Sequence, residues 1–174
     1  MRTFYSKFYL MLMVLCATLN DAQAITENFD DITTLSGNGW SMKNNSSSIG
    51  LTANWFQGNA LSIGGPFNAY NGSDNSYIGA NYNFVAGAGT INGWFLTPNR
   101  TFRNGDVVNF YTRKPLVQDH PDRLEVRLSG NGASTNVGST ATSVGDFTTL
   151  LLSVNPDLTT GVYPTTWTKY SITI

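Results

Sequence analysis

The sequence predicts an all-β protein, an antiparallel two-sheet sandwich, and three observations lead there. Gly, Asn, Ser and Thr are abundant while Lys and Glu are scarce. That mixture disfavours helices, because Gly and β-branched Thr are poor helix formers and Asn and Ser compete with the helix backbone. Short apolar–polar alternations recur between turn-forming clusters, the pattern of a sandwich or barrel. No amphipathic helical pattern of ten or more residues follows residue 24. Aromatic residues make up 13% of the chain, which supplies core area and argues against disorder.

The N-terminus sets the compartment. Arg2 and Lys7 precede an uncharged apolar run from Phe8 to Ala17, and Ala22-Gln23-Ala24 has the small-x-small form of a cleavage site. Residues 1–24 therefore read as a signal peptide, too short in its apolar part for the roughly 20 residues of a spanning helix. Residues 25–174 form one domain, exported, and no later stretch could cross a bilayer. Cys16 is the only cysteine and lies in the signal segment, so the remainder excludes disulfides, thiolate chemistry and Cys-ligated zinc. Removing Arg2, Lys7 and Asp21 leaves eight Lys/Arg against ten Asp/Glu. There is no basic stripe, hence no expectation of a nucleic-acid partner.

Strands are expected in order at Ile25–Phe29, Ile49–Phe56, Ser76–Tyr82, Trp94–Thr97, Asp106–Thr112, Arg123–Leu128, Leu150–Val154 and Tyr170–Ile174. The sharpest is Arg123–Leu128, where Leu124, Val126 and Leu128 share one face and Arg123, Glu125 and Arg127 the other. In Asp106–Thr112, Val108 and Phe110 oppose Val107 and Tyr111. Breaks fall at Ser36-Gly37-Asn38-Gly39, Gly64-Gly65-Pro66, Asn71-Gly72, Gly87-Ala88-Gly89, Asn104-Gly105 and Gly130-Asn131-Gly132. Asn104-Gly105 predicts a hairpin from Arg100–Arg103 into the following strand. The chain stops on an alternating strand with nothing to blunt its edge, which predicts that the domain is C-terminally incomplete and continues past Ile174, or that a closing strand comes from elsewhere.

Several segments together carry a resemblance. They are Glu27-Asn28-Phe29-Asp30, Trp55-Phe56-Gln57-Gly58-Asn59, Phe67–Gly72, Ser76–Tyr82, Gly93-Trp94-Phe95-Leu96-Thr97-Pro98, Thr112-Arg113 and Asp122–Ser129. In this order the chain resembles the choice-of-anchor J domains of bacterial surface proteins, which are similar to cleaved-adhesin domains. The resemblance covers roughly Glu27 to Ile174. It implies a jelly-roll sandwich, export and a binding or adhesion role. It also implies one structural calcium, with Glu27 and Asp30 at the acidic positions of the opening motif. Asp74, in the oxygen-rich loop Asn71–Asn75, is a further candidate ligand, since calcium takes carboxylate and carbonyl oxygens.

Catalytic constellations are poor. His120, the only histidine, sits in a polar Pro-broken loop with Asp119 and Asp122 but without a Gly-x-Ser-x-Gly elbow. Glu27 and Glu125 are the only glutamates, and Glu125 lies between two arginines, which spoils it as a general acid. No catalytic residue is assigned. Trp55 beside Gln57 and Asn59 could form a sugar-stacking platform with hydrogen-bonding amides; core packing is the simpler role for that ring. The sequence thus points to a non-catalytic exported or cell-surface binding module with an extracellular protein or glycan ligand. A carbohydrate-binding module using exposed aromatics is the alternative, and a small glycoside-type hydrolase ranks below both.

Overall fold

A computed structural model describes residues 24–51, 54–59, 67–116 and 120–174. Nearly all of the expected signal segment, Gly64-Gly65-Pro66 and Asp119 thus lie outside the described residues. Eight strands account for the regular structure: β1 Ser41–Asn44, β2 Phe56–Gln57, β3 Ile78–Gly79, β4 Gly93–Leu96, β5 Val107–Thr112, β6 Leu124–Leu128, β7 Thr149–Val154 and β8 Thr168–Thr173. Among the described residues the only helical pieces are single 3₁₀ turns at Ile32–Thr34, Ser36–Asn38 and Tyr82–Phe84. The protein is all-β.

All pairing is antiparallel and nested. β1 pairs with β4 around a β2–β3 pair, and β5 pairs with β8 around a β6–β7 pair. The pairing of β6 with β7 breaks register between Val126 and Arg127, where Val126 faces Leu152 and Arg127 faces Leu150. Leu151 is the extra residue, a bulge that bends the strand. β8 is paired with β5 over its whole length and buries Ile172.

The expected Ile25–Phe29 strand is absent. Phe29 has a φ of 58°, and its N–H is taken by Glu27 Oε1 at 2.8 Å. That local turn breaks extended backbone and swings the Phe29 ring against Trp40 and Phe95. The chain then enters a 3₁₀ turn capped by Asp31, which accepts from the Thr33 N–H at 2.9 Å. Ser76–Tyr82 shortens to a two-residue strand, because Asn81 caps the 3₁₀ turn that buries Phe84. Asn104-Gly105 does make a turn, with Gly105 at a φ of 96°, but no hairpin. The Gly105 N–H donates to Ile174 O and the Ile174 N–H to Asp106 O, so β5 recruits the distant β8 instead of residues 100–103.

The β1–β4 ribbon is covered on both sides. Phe95 stacks on Trp40 at 4.7 Å and touches Phe29 and Trp55. Gly93 lets Phe84 lie on the same face, since a Cβ there would fall 2.4 Å from the Phe84 ring. Across the ribbon, Trp94 packs on Phe147 and Lys43 Nζ donates to Thr135 O at 2.6 Å. The 131–147 loop that supplies this cover is tied by Asp146, which accepts from Asn131, Ser134 and Asn136 side chains. Those hydrogen bonds hold its carboxyl below the usual range. The β5–β8 ribbon behaves differently. Val108, Phe110, Thr112, Tyr170 and Ile172 turn inward, while Val107, Asn109, Tyr111, Lys169, Ser171 and Thr173 are exposed.

Candidate functional site

At the expected stacking platform Trp55 and Gln57 are half-buried and Asn59 is exposed. The Trp55 ring is edge-on to Phe84 and tilted on Phe95, and its indole N–H is buried without a partner. Gln57 is a clasp for the backbone: Oε1 accepts from the Ile32 N–H at 2.9 Å, and Nε2 donates to Phe29 O and Asn75 O. The Asn59 N–H donates to the Tyr77 hydroxyl at 3.0 Å. Backbone polar groups need partners, and the Gln57 carboxamide supplies them within the fold.

Asp30 Oδ1 accepts from Ser76 Oγ at 2.6 Å, which ties the opening segment to the loop carrying Asp74. Asp74 itself contributes its backbone carbonyl, accepting from the Ala69 N–H, and Glu27 is used by Phe29. Among the described residues no three His, Cys, Asp or Glu side chains form a group that could hold a metal ion. His120 gives its backbone carbonyl to Lys114 Nζ at 3.0 Å. Glu125 is paired with Arg127 at 2.7 Å and Arg123 at 3.5 Å, the ion-pair ladder its setting suggests. Arg127 is half-buried and its guanidinium also reaches Phe147 O, so this face of β6 meets another surface. Two shallow depressions, one around Ile49, Leu51 and Val85 and one around Ile32, Leu35 and Trp40, contain no titratable side chain.

The feature that stands out lies where the 67–77 loop crosses the outer face of β5–β8. Trp167 packs edge-on to Phe67 and Tyr77, and its indole N–H donates to Asn68 O at 2.8 Å. This fixes the loop against the ribbon. Tyr70 then stacks on Tyr111, with ring centroids 3.8 Å apart and planes 18° from parallel. Both rings stay accessible, Tyr70 at 56% and Tyr111 at 36% of their surface. Two cations border the pair. Lys169 is directly opposite Tyr111 in the ladder, where side chains on one face come within about 5 Å. Arg113 follows Tyr111 by two residues, and its guanidinium sits 4.1 Å above the Phe67 ring, a cation–π contact.

Among the described residues no carboxylate lies within ion-pairing distance of Arg113 or Lys169; the ion pairs there are those of Glu125. Arg113 Nε is buried without a hydrogen-bond partner, and burial draws the guanidinium's pKa down. Tyr70 has its ionisation pushed up by the neighbouring Tyr111 hydroxyl, with Lys169 acting in the opposite direction. Along the same face run Asn109 and Ser171, joined by a 2.6 Å hydrogen bond, and Thr173. The sequence held part of this site. The alternation of β5 sets Tyr111 on the face away from Val108 and Phe110, and the same count carries Arg113 to Tyr111's side. The approach of Tyr70 has no local signal.

No family model, curated protein or solved structure matches the chain. The likeness to choice-of-anchor J domains rests on the sequence motifs.

Proposed function

We propose that this chain is a non-catalytic exported or cell-surface module that binds an extracellular ligand through the outer face of β5–β8. The observation that carries the reading is the exposed Tyr70–Tyr111 stack. Aromatic rings left at the surface lose contacts they would gain in a core, and this pair is held there by a dedicated loop. A stacked partner also limits the motion of Tyr70, so a ligand laid on its free face immobilises little further. The carbohydrate-binding alternative gains support from the same pair, which replaces Trp55 as the aromatic platform. Asn109, Ser171 and Thr173 add hydrogen-bonding groups suited to hydroxyl-rich ligands. Export rests on Arg2, Lys7, the apolar run and Ala22-Gln23-Ala24; one structural calcium stays part of the proposal through Glu27, Asp30 and Asp74. An array of glycans and extracellular proteins probed with the purified chain tests it. Binding should be lost in Tyr70→Ala and kept in Asn59→Ala. Turnover of a polysaccharide that stops on Glu125→Gln would overturn the non-catalytic reading.

A further inference from the structure

Lys169 and Arg113 lie along the face of the tyrosine stack, and among the described residues no carboxylate ion-pairs with either. We propose that the outer face of β5–β8 selects acidic glycans, a carboxylated sugar ring lying on Tyr70 with its carboxylate taken by Arg113 and Lys169. The inference rests on the binding-module reading above and adds the ligand's chemical class.

The whole chain is near neutral, with a formal net charge of −1, so an unpaired Arg–Lys couple on one face is local and not a consequence of a basic surface. The arginine matters most. Its Nε is buried with no partner and so is closed to a ligand, which leaves the terminal N–H groups for one, while the Phe67 ring beneath holds the guanidinium plane in place. A preorganised planar fork suits a carboxylate, which accepts two parallel N–H bonds. Lys169 adds a flexible point charge on the opposite strand.

The shape favours a sugar over a peptide. Peptides are usually taken in a groove or along an open strand edge. This site is the face of a ribbon, with one free aromatic surface and the polar strip of Asn109, Ser171 and Thr173 beside it. A pyranose ring presents C–H bonds to an aromatic face and hydroxyls to its rim, and both are matched here. Asp74, from the loop that carries Tyr70, makes no ion pair with either cation among the described residues.

Calorimetric titration of the purified chain with oligogalacturonate and oligosialate, against the methyl ester of oligogalacturonate and a neutral oligogalactoside, tests this. Polyglutamate serves as the acidic peptide. At least one acidic glycan should bind about tenfold or more tighter than the neutral probes, the scale of one charge-assisted hydrogen bond. Arg113→Gln should erase that preference. Lys169→Gln, at an exposed position, should weaken it several-fold with an unchanged melting curve, and adding salt should do the same. Tyr70→Ala should abolish binding of acidic and neutral probes alike. Equal affinity for acid and ester overturns the acidic class while leaving the binding-module reading standing. Polyglutamate bound in preference to every glycan makes this a peptide site and overturns the proposal. No heat with any probe overturns it as well, and an array that then finds a ligand insensitive to Tyr70→Ala removes the site beneath it.

Discussion

The β1–β4 ribbon is packed on both faces, whereas the β5–β8 ribbon is packed on one and is only partly crossed on the other, by the 67–77 loop. In the first, Phe95 and Gly93 meet a cluster of Phe29, Trp40, Trp55 and Phe84, and Trp94 meets Phe147 from behind. In the second, exposure alternates strictly along β5 and β8. The same antiparallel pairing therefore does two jobs: one ribbon is the core of its half, and the other is a wall with a usable outside. Aromatic residues follow this division. Those around β1–β4 pack on one another, and outside β5–β8 Phe67, Tyr77 and Trp167 pack while Tyr70 and Tyr111 stay exposed.

The largest expected effect lies on the closed side. Phe84 is fully buried against Trp55, and Phe84→Ala should cost about 3–5 kcal/mol in denaturant unfolding. A loss below about 1 kcal/mol would mean that this half is loosely packed, and the comparison would fail.

The next effect concerns the inside of the β5–β8 wall. Tyr163 is 7% exposed, and burial pushes its phenol up to about 12 although Thr112 Oγ1 holds the hydroxyl at 2.6 Å. Its folded-state value is raised above an ordinary tyrosine's, near 10. The stabilisation from keeping it neutral is therefore full below about pH 10 and lost as pH rises from there towards 12. It amounts to roughly 3 kcal/mol. An ultraviolet phenolate titration should find one tyrosine that ionises late or only on unfolding, absent in Tyr163→Phe. Tyrosines that all titrate together near pH 10 would show the interior of this wall to be wet.

A smaller effect tests the cover behind β1–β4. Asp146 has a folded-state pKa held down by Ser134, Asn131 and Asn136, so its contribution is present above about pH 4 and lost as pH falls through the lowered value. Asp146→Asn should lower the melting temperature at neutral pH and flatten its decline in acid. An unchanged acid limb would detach the 131–147 loop from the stability of this half.

The contrast also explains what could be seen in the sequence. β5, β6 and β8 were legible because one side of each is apolar and the other polar; β5 and β8 keep that alternation in their exposure, and β6 uses its polar side for Glu125 and two arginines. β1, Ser41-Met42-Lys43-Asn44, was not. Its polar residues are matched across space, Lys43 by Thr135 O and Asn44 by Phe84 O, and no local pattern reports such partners. Ile25–Phe29 looked extended until Glu27 captured the Phe29 N–H. Within the candidate site, Tyr111 could be placed on the outer face from alternation, but Tyr70 arrives on a loop whose position depends on Trp167 bonding Asn68 O. At Trp55 the complementary point holds: Gln57 looks like a free amide in sequence, yet its carboxamide bonds the backbone of Ile32, Phe29 and Asn75.

The smallest stability effect belongs to the open face. Tyr70→Ala should change unfolding free energy by about 0.5 kcal/mol or less, the scale of a surface substitution, while ligand binding is lost. The most direct test of the division is hydroxyl-radical footprinting of the full chain, read residue by residue with and without oligogalacturonate. Tyr70 and Tyr111 should be labelled in the free protein and protected in the bound one, with Phe84 silent in both and Trp55 labelled weakly and equally in both. Strong labelling of Trp55, or protection centred on Gln57 and Asn59 with Tyr70 unaffected, would contradict it.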